Sequence, residues 1–202
     1  MKKIIDIFLR SLLTGVAIAI GGTVYLSCPN KYLGAFLFGI GLFVILSFSF
    51  NLFTGKVGYA VENKPSYLGE LGIIWLGNFA LLIAQTRIST ISDKATELCN
   101  IKLGDNITSV FILSFFCGIL MFVAADGYKT IQNPVGQILA IFLPVVVFIL
   151  SGFEHCVANM YFFTIADLWS IKAFGYLIIM SLGNSIGGIL IPLLRKGFVS
   201  KA

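Results

Sequence analysis

Leu150-Ser151-Gly152-Phe153-Glu154-His155-Cys156-Val157-Ala158-Asn159-Met160 sets a glycine, a carboxylate, the chain's only histidine, a thiol and an amide in a row. The run lies inside an apolar segment, between Ile138–Ile149 and Tyr161–Ile165. In hydrocarbon, polar groups must be satisfied internally, and irregular backbone is tolerated only around a cavity or buried in protein. A Glu-His pair in such surroundings marks a site. Imidazole titrates near neutrality and suits both hydrogen bonding and proton exchange. The carboxylate of Glu154 suits backbone donors freed by a break in a helix.

The surroundings follow from composition. Of 202 residues, 58% are hydrophobic and 11% charged, and mean hydropathy is +0.97. A soluble domain carries roughly a quarter charged residues, so this chain has too little charge to cover a water-facing surface. It is expected to be an integral membrane protein. The net charge of +5 does not indicate nucleic acid, because the bases sit in gaps between apolar runs without interleaved aromatics. A single histidine and four scattered cysteines (Cys28, Cys99, Cys117 and Cys156, with no CxxC pair) supply no metal-ligand set. No cofactor is expected.

Six apolar segments are long enough to cross a core of roughly 30 Å. Span one lies within Ile4–Leu26, starting near Phe8 and ending before Cys28-Pro29-Asn30. It lacks the small-residue cleavage site of a signal peptide. Span two begins after Lys31, runs through Phe36–Phe50, breaks at Asn51–Gly55 and resumes to Glu62. Span three is Leu68–Thr86, and the polar stretch Arg87–Asn106 that follows suits a short amphipathic helix at the surface. Span four is Ile107–Ala125. Span five starts after Asn133-Pro134, is interrupted at Ser151–Ala158 and ends near Trp169. Span six is Phe174–Leu194. With the N-terminus inside, nine of the fourteen bases fall on the cytoplasmic side and five outside, which favours cytoplasmic termini.

The two halves echo each other. Span two breaks at Thr54 and span five at His155, 101 positions later in a 202-residue chain. Span three contains Leu76-Gly77-Asn78 and span six Leu182-Gly183-Asn184. Three spans per half is an odd number, so the second half (102–202) must be inserted upside down relative to the first (1–101). Paired broken segments in an inverted repeat point to a permeation pathway. A bland alternative is that glycine-rich helices simply pack closely.

Gly152-Phe153-Glu154-His155 with Ala158-Asn159-Met160, together with Leu52-Phe53-Thr54-Gly55 and Gly183-Asn184, resembles the formate/nitrite transporter family. The resemblance spans essentially the whole chain. It implies an all-α, aquaporin-like fold in the plasma (inner) membrane: six spans, broken second and fifth helices, and a homopentamer with one pore per protomer. Formate, nitrite or hydrosulfide would pass, alone or with a proton.

Carried onto this sequence, the resemblance makes His155 the anion's central contact and its proton partner, oriented by Thr54. Asn184 would line the same cavity. Leu42, Leu52, Phe53 and Phe148 would form apolar constrictions, and Lys102 would sit in a vestibule. Glu154 would stabilise the break. Each has a plainer reading: Thr54 as a helix cap, the phenylalanines as packing, Asn184 as interhelical glue, Lys102 as a solvated loop residue. Asn51 stands where many members have an acid, Ser49-Phe50 where small residues are usual, and Cys117-Gly118 where a Cys-Asn pair is usual. These departures bear on the substrate rather than on the fold. A non-transporting assembly subunit and a membrane-embedded enzyme using Glu154, His155 and Cys156 are the alternatives from other classes. The enzyme lacks a second histidine or a Ser-His partner.

Overall fold

The computed structural model describes residues 2–83 and 89–199. They form nine α-helices and a 3-10 turn, with no strand among the described residues. In order these are α1 (Lys2–Ser27), α2 (Lys31–Ser47), α3 (Phe53–Lys56), the 3-10 turn Val57–Glu62, α4 (Tyr67–Ile83), α5 (Ser89–Gly104), α6 (Ile107–Thr130), α7 (Pro134–Leu150), α8 (Cys156–Ile165) and α9 (Ile171–Val199). Asparagines start three of them. Asn30 accepts from the Tyr32 and Leu33 amides, Asn106 from Ser109 and Asn133 from Gly136. In each case the short side chain satisfies amides that have no intrahelical partner.

Three helices, α1, α6 and α9, are long and apolar enough to cross a membrane on their own. At 1.5 Å per residue, the 17 residues of α2 and of α7 reach only about 25 Å. Each then stops, and a shorter helix carries the chain on. The stops differ slightly from the sequence expectation. The first lies at residues 48–52 and not 51–55, because Thr54 and Gly55 already belong to α3. The second lies at 151–155, with Val157 and Ala158 already in α8. The expected ends at Thr86 and Arg87, and the base Lys201, lie outside the described residues.

The polar stretch forms α5, but it does not merely lie at the surface. Ile91, Ala95 and Cys99, four residues apart, make a buried stripe against α8, and Lys102 continues it. Helix α8 is buried on all sides: Met160, Tyr161, Phe163 and Ile165 are at most 1% exposed. It is the core of the molecule, with α1, α4, α5 and α9 packed around it.

Helices α1 and α4 pack as a pair, and so do α6 and α9. Close approach is built from small residues. A Cβ on Gly183 would stand 2.5 Å from the Cβ of Ser114, and one on Gly77 would stand 2.5 Å from that of Ser11.

Candidate functional site

The two stops are the same piece of backbone. In the first, the amides of Ser49, Phe50 and Asn51 donate to the carbonyls of Leu46, Ile45 and Arg10, at 3.2, 2.8 and 3.4 Å. In the second, those of Gly152, Phe153 and Glu154 donate to Ile149, Phe148 and Leu113, at 3.3, 2.9 and 3.4 Å. Ser49 and Gly152 both take the left-handed conformation, with φ of 55° and 68°. Leu52 and His155 are the N-caps of α3 and α8. The matching partner of His155 is therefore Leu52, not Thr54 as the sequence spacing suggested.

Asn78 and Asn184 close the two stops in the same way. Asn78 Oδ1 accepts from the Phe53 amide (2.9 Å), and its Nδ2 donates to the Ser11 and Asn51 carbonyls (2.9 and 2.8 Å). Asn184 Oδ1 accepts from the Cys156 amide (2.9 Å), and its Nδ2 donates to the Ser114 and Glu154 carbonyls (2.7 and 2.8 Å). One acceptor faces an N–H and one donor faces two C=O groups, so each amide's orientation is fixed. Both side chains are fully buried. Asn184 is a strut between α6, α9 and the stop, with its hydrogen-bonding groups engaged by backbone.

His155, 3% exposed, uses both ring nitrogens. Nδ1 accepts from the Ala158 amide (3.0 Å), which caps α8. A neutral ring then carries its proton on Nε2, and Nε2–H donates to Thr54 Oγ1 at 2.8 Å. An ordinary Ser or Asn cap has no such second arm. Thr54 is not a cap itself, since Leu52 holds that position in α3. The imidazole thus ties one stop to the helix after the other.

A cavity adjoins each stop. One, of about 50 Å³, is lined by His155, Phe148, Lys102 and Asn159 among others. The other, of about 130 Å³, is lined by Leu52, Ile45, Lys56 and Lys129 among others. Phe148 lies with its ring centroid 5.7 Å from that of His155 and 5.7 Å, edge-on, from Phe38. Leu42 is buried on α2. Phe53 is 8% exposed and packs in the core; it lines neither of these two cavities.

Lys102 and Glu154 meet at 2.6 Å, both nearly buried. Glu154 Oε2 also accepts from Asn159 Nδ2 at 2.7 Å. This corrects the expected role of Glu154. The amides that open α8, those of Cys156 and Ala158, go to Asn184 and His155, and the carboxylate serves Lys102 and Asn159 instead. Asn159 Oδ1 is buried without a hydrogen-bond partner. Phe38 and Lys56 were not foreseen as site residues. Lys56, two positions after Thr54 in an apolar setting, was the available signal.

Among the described residues, no group of His, Cys, Asp and Glu could hold a metal ion. What remains is a multi-pass membrane protein whose paired helix stops meet through a histidine that lines a cavity. The family model for the formate/nitrite transporter matches residues 1–196. The chain belongs to the formate/nitrite transporter family. It is 28% identical to the uncharacterized transporter YrhG of Bacillus subtilis over 79% of this chain and 68% of that one. It is 23% identical to a formate-nitrite transporter of Plasmodium knowlesi, over 93% of this chain and 74% of that one. It is 26% identical to the formate channel FocB of Escherichia coli, over 78% of this chain and 65% of that one. Among solved structures, a pentameric formate channel with formate bound superposes with a TM-score of 0.81 at 21% identity. That match covers 100% of this chain and 99% of the other. These relatives are named as channels and transporters, not as enzymes.

Proposed function

We propose that the protein is a channel for small monovalent anions of the size of formate, nitrite or hydrosulfide. Its relatives named as formate channels and formate-nitrite transporters support the substrate class. We further propose six spans, with α2 continuing through α3 and the 3-10 turn, and α7 continuing through α8. The second half would then be inverted relative to the first. The matching hydrogen bonds of the two stops support that repeat.

The pentameric assembly of the matched formate channel supports a homopentamer here. So do the apolar side chains left exposed on a single chain, such as Leu33 at 51% and Leu143 at 57%, which need lipid or a second copy against them. The clustering of bases supports cytoplasmic termini. Lys3 pairs with Glu70 and Arg195 with Asp126, and Lys196 donates to the Val61 carbonyl, all on the face where α1 begins and α9 ends.

The observation that carries this reading is the 2.8 Å contact between His155 Nε2 and Thr54 Oγ1. It makes a relay of donors. The Ala158 amide fixes Nδ1, Nε2–H donates to the threonine oxygen, and the threonine's own proton is left to serve an anion. Leu52 and Ile45 on one side, Phe148 and Phe38 on the other, exclude the water that a hydrated cation would need. A bare anion among such groups is costly, and an oriented hydroxyl donor lowers that cost. Proton exchange through His155, the further expectation, must take its proton at Nδ1 and so must open the α8 cap.

Formate and nitrite flux into proteoliposomes tests the reading. Replacing Thr54 by Val keeps the shape and removes the donor. We expect flux to fall roughly tenfold, the effect of about 1.4 kcal/mol on a barrier, with assembly unchanged. Full flux in Thr54→Val overturns the relay. Absence of flux in the unaltered protein overturns the channel.

A further inference from the structure

The His155 cavity adjoins a wider one of about 440 Å³, and the two share Tyr25 and Leu98 in their walls. Tyr25 comes from the last turn of α1. Its ring stands edge-on to Phe38, with centroids 6.4 Å apart, and lies tilted against Phe162 at 6.3 Å. The ring is therefore packed, but the hydroxyl is not engaged. Among the described residues it makes no hydrogen bond. The buried unpaired oxygens and nitrogens among those residues are those of Tyr59 and Asn159, so the Tyr25 oxygen is reachable rather than sealed in. Tyr161, by contrast, shares its hydroxyl with Thr23 at 2.6 Å. The other polar side chains lining the His155 cavity have their donors in use. Lys102 holds Glu154, His155 Nε2 meets Thr54, and Asn159 Nδ2 faces Glu154 and the His155 carbonyl.

We propose that the Tyr25 hydroxyl is a substrate contact at the entrance to the His155 cavity, and that it selects oxyanions such as formate and nitrite over hydrosulfide. The inference rests on the channel reading above and narrows its substrate class. An anion moving from the wide cavity to the small one leaves water among aromatic rings, whose faces carry negative charge density. An ion without partners there is costly. Phe38 and Phe162 offer it no donor, and the hydroxyl beside them does. Tyrosine suits the place because its ring fills the aromatic contact while its tip stays polar. The gain depends on the acceptor atom. A carboxylate or nitrite oxygen takes a short, charge-assisted O–H···O bond of about 2.5–2.7 Å, whereas sulfur is a weak acceptor. Tyr25 thus sorts anions by the atom they present and not by their size.

Tyr25→Phe keeps the ring and its contacts with Phe38 and Phe162 and removes one oxygen. Formate, nitrite and hydrosulfide flux into proteoliposomes is measured for both proteins and corrected for protein-free vesicles. Formate and nitrite flux should fall roughly tenfold, the scale of one hydrogen bond to a charged acceptor, while hydrosulfide flux changes by less than about twofold. The thermal midpoint should hold, because the hydroxyl has no partner to lose. A loss shared equally by all three anions would mean that Tyr25 acts through packing, and it overturns the inference. Unchanged formate flux in Tyr25→Phe overturns it as well and leaves the channel intact. A further arm needs no substitution and so stands even if the variant fails to fold. The unaltered protein should pass formate faster than hydrosulfide at equal concentrations of the two ions, and hydrosulfide passing as fast or faster overturns the selection. No flux of any of the three overturns the channel reading, and this inference with it.

Discussion

Asn78 and Asn184 make the same three hydrogen bonds, each to an amide that opens a helix, a carbonyl in the stop before it, and a carbonyl of the neighbouring long helix. Each therefore satisfies two backbone groups that have no other partner and adds a bond to a carbonyl within a long helix. Removing the side chain leaves the helix-opening amide and the carbonyl of the stop unpaired, at about 1–3 kcal/mol apiece, while the Ser11 and Ser114 carbonyls keep their partners within α1 and α6. Asn184→Ala should lower the thermal midpoint of the purified protein by many degrees, as should Asn78→Ala. Asn184→Asp should be no better, since its carboxylate would face the Ser114 and Glu154 carbonyls without a donor. An Asn184→Ala protein as stable as the parent would show that the strut carries nothing.

Ser49 and Gly152 occupy the same left-handed turn, and only one of them is suited to it. A non-glycine residue there costs about 1–2 kcal/mol. A Cβ on Gly152 would meet nothing within 4 Å, so the backbone alone decides the outcome. Gly152→Ala should destabilise and Ser49→Gly should stabilise, by about 1 kcal/mol each. Denaturation midpoints shifting in the same direction for both variants would rule this out.

Much of this was legible in the sequence, and the misses share a cause. The apolar runs, the two interruptions and the Leu-Gly-Asn elements follow from polar residues standing where hydrocarbon forbids them. Register was not legible. Thr54 and His155 look like counterparts because both carry polar side chains, but matching hydrogen bonds pair His155 with Leu52. Backbone equivalence leaves no trace when one copy keeps a histidine and the other a leucine. Lys102 was placed near the site only through the family resemblance, because the buried stripe of α5 is too short to outweigh its polar neighbours. Glu154 was assigned to backbone donors because nothing in its own segment named a cation 52 positions away.

The Lys102–Glu154 pair is nearly buried, with side chains 10% and 5% exposed. Removing one partner strands the other charge, which costs about 3–5 kcal/mol. Lys102→Met and Glu154→Gln should each destabilise strongly. The double variant, which strands no charge and keeps an acceptor for Asn159 Nδ2, should recover most of that loss. Double-variant stability no better than the worse single would show that the lysine is held by something other than the carboxylate.

His155 decides how an anion crosses. As the cap of α8 it is replaceable, because Asn caps a helix at least as well. As the group that also reaches Thr54 it is not, because only the imidazole has a second nitrogen on its far side. His155→Asn should therefore fold and assemble normally while passing formate roughly tenfold more slowly, as expected for about 1.4 kcal/mol added to the barrier. Its pH profile is the sharper measurement. With Nδ1 occupied by the Ala158 amide, the ring works as a neutral donor. Flux corrected for protein-free vesicles, measured between about pH 5 and 8 around the unperturbed histidine value of about 6.5, should then keep the same shape in both proteins. A pH dependence present in the unaltered channel and flattened in His155→Asn would mean that the cap opens during transport and that the ring gives up a proton to its anion.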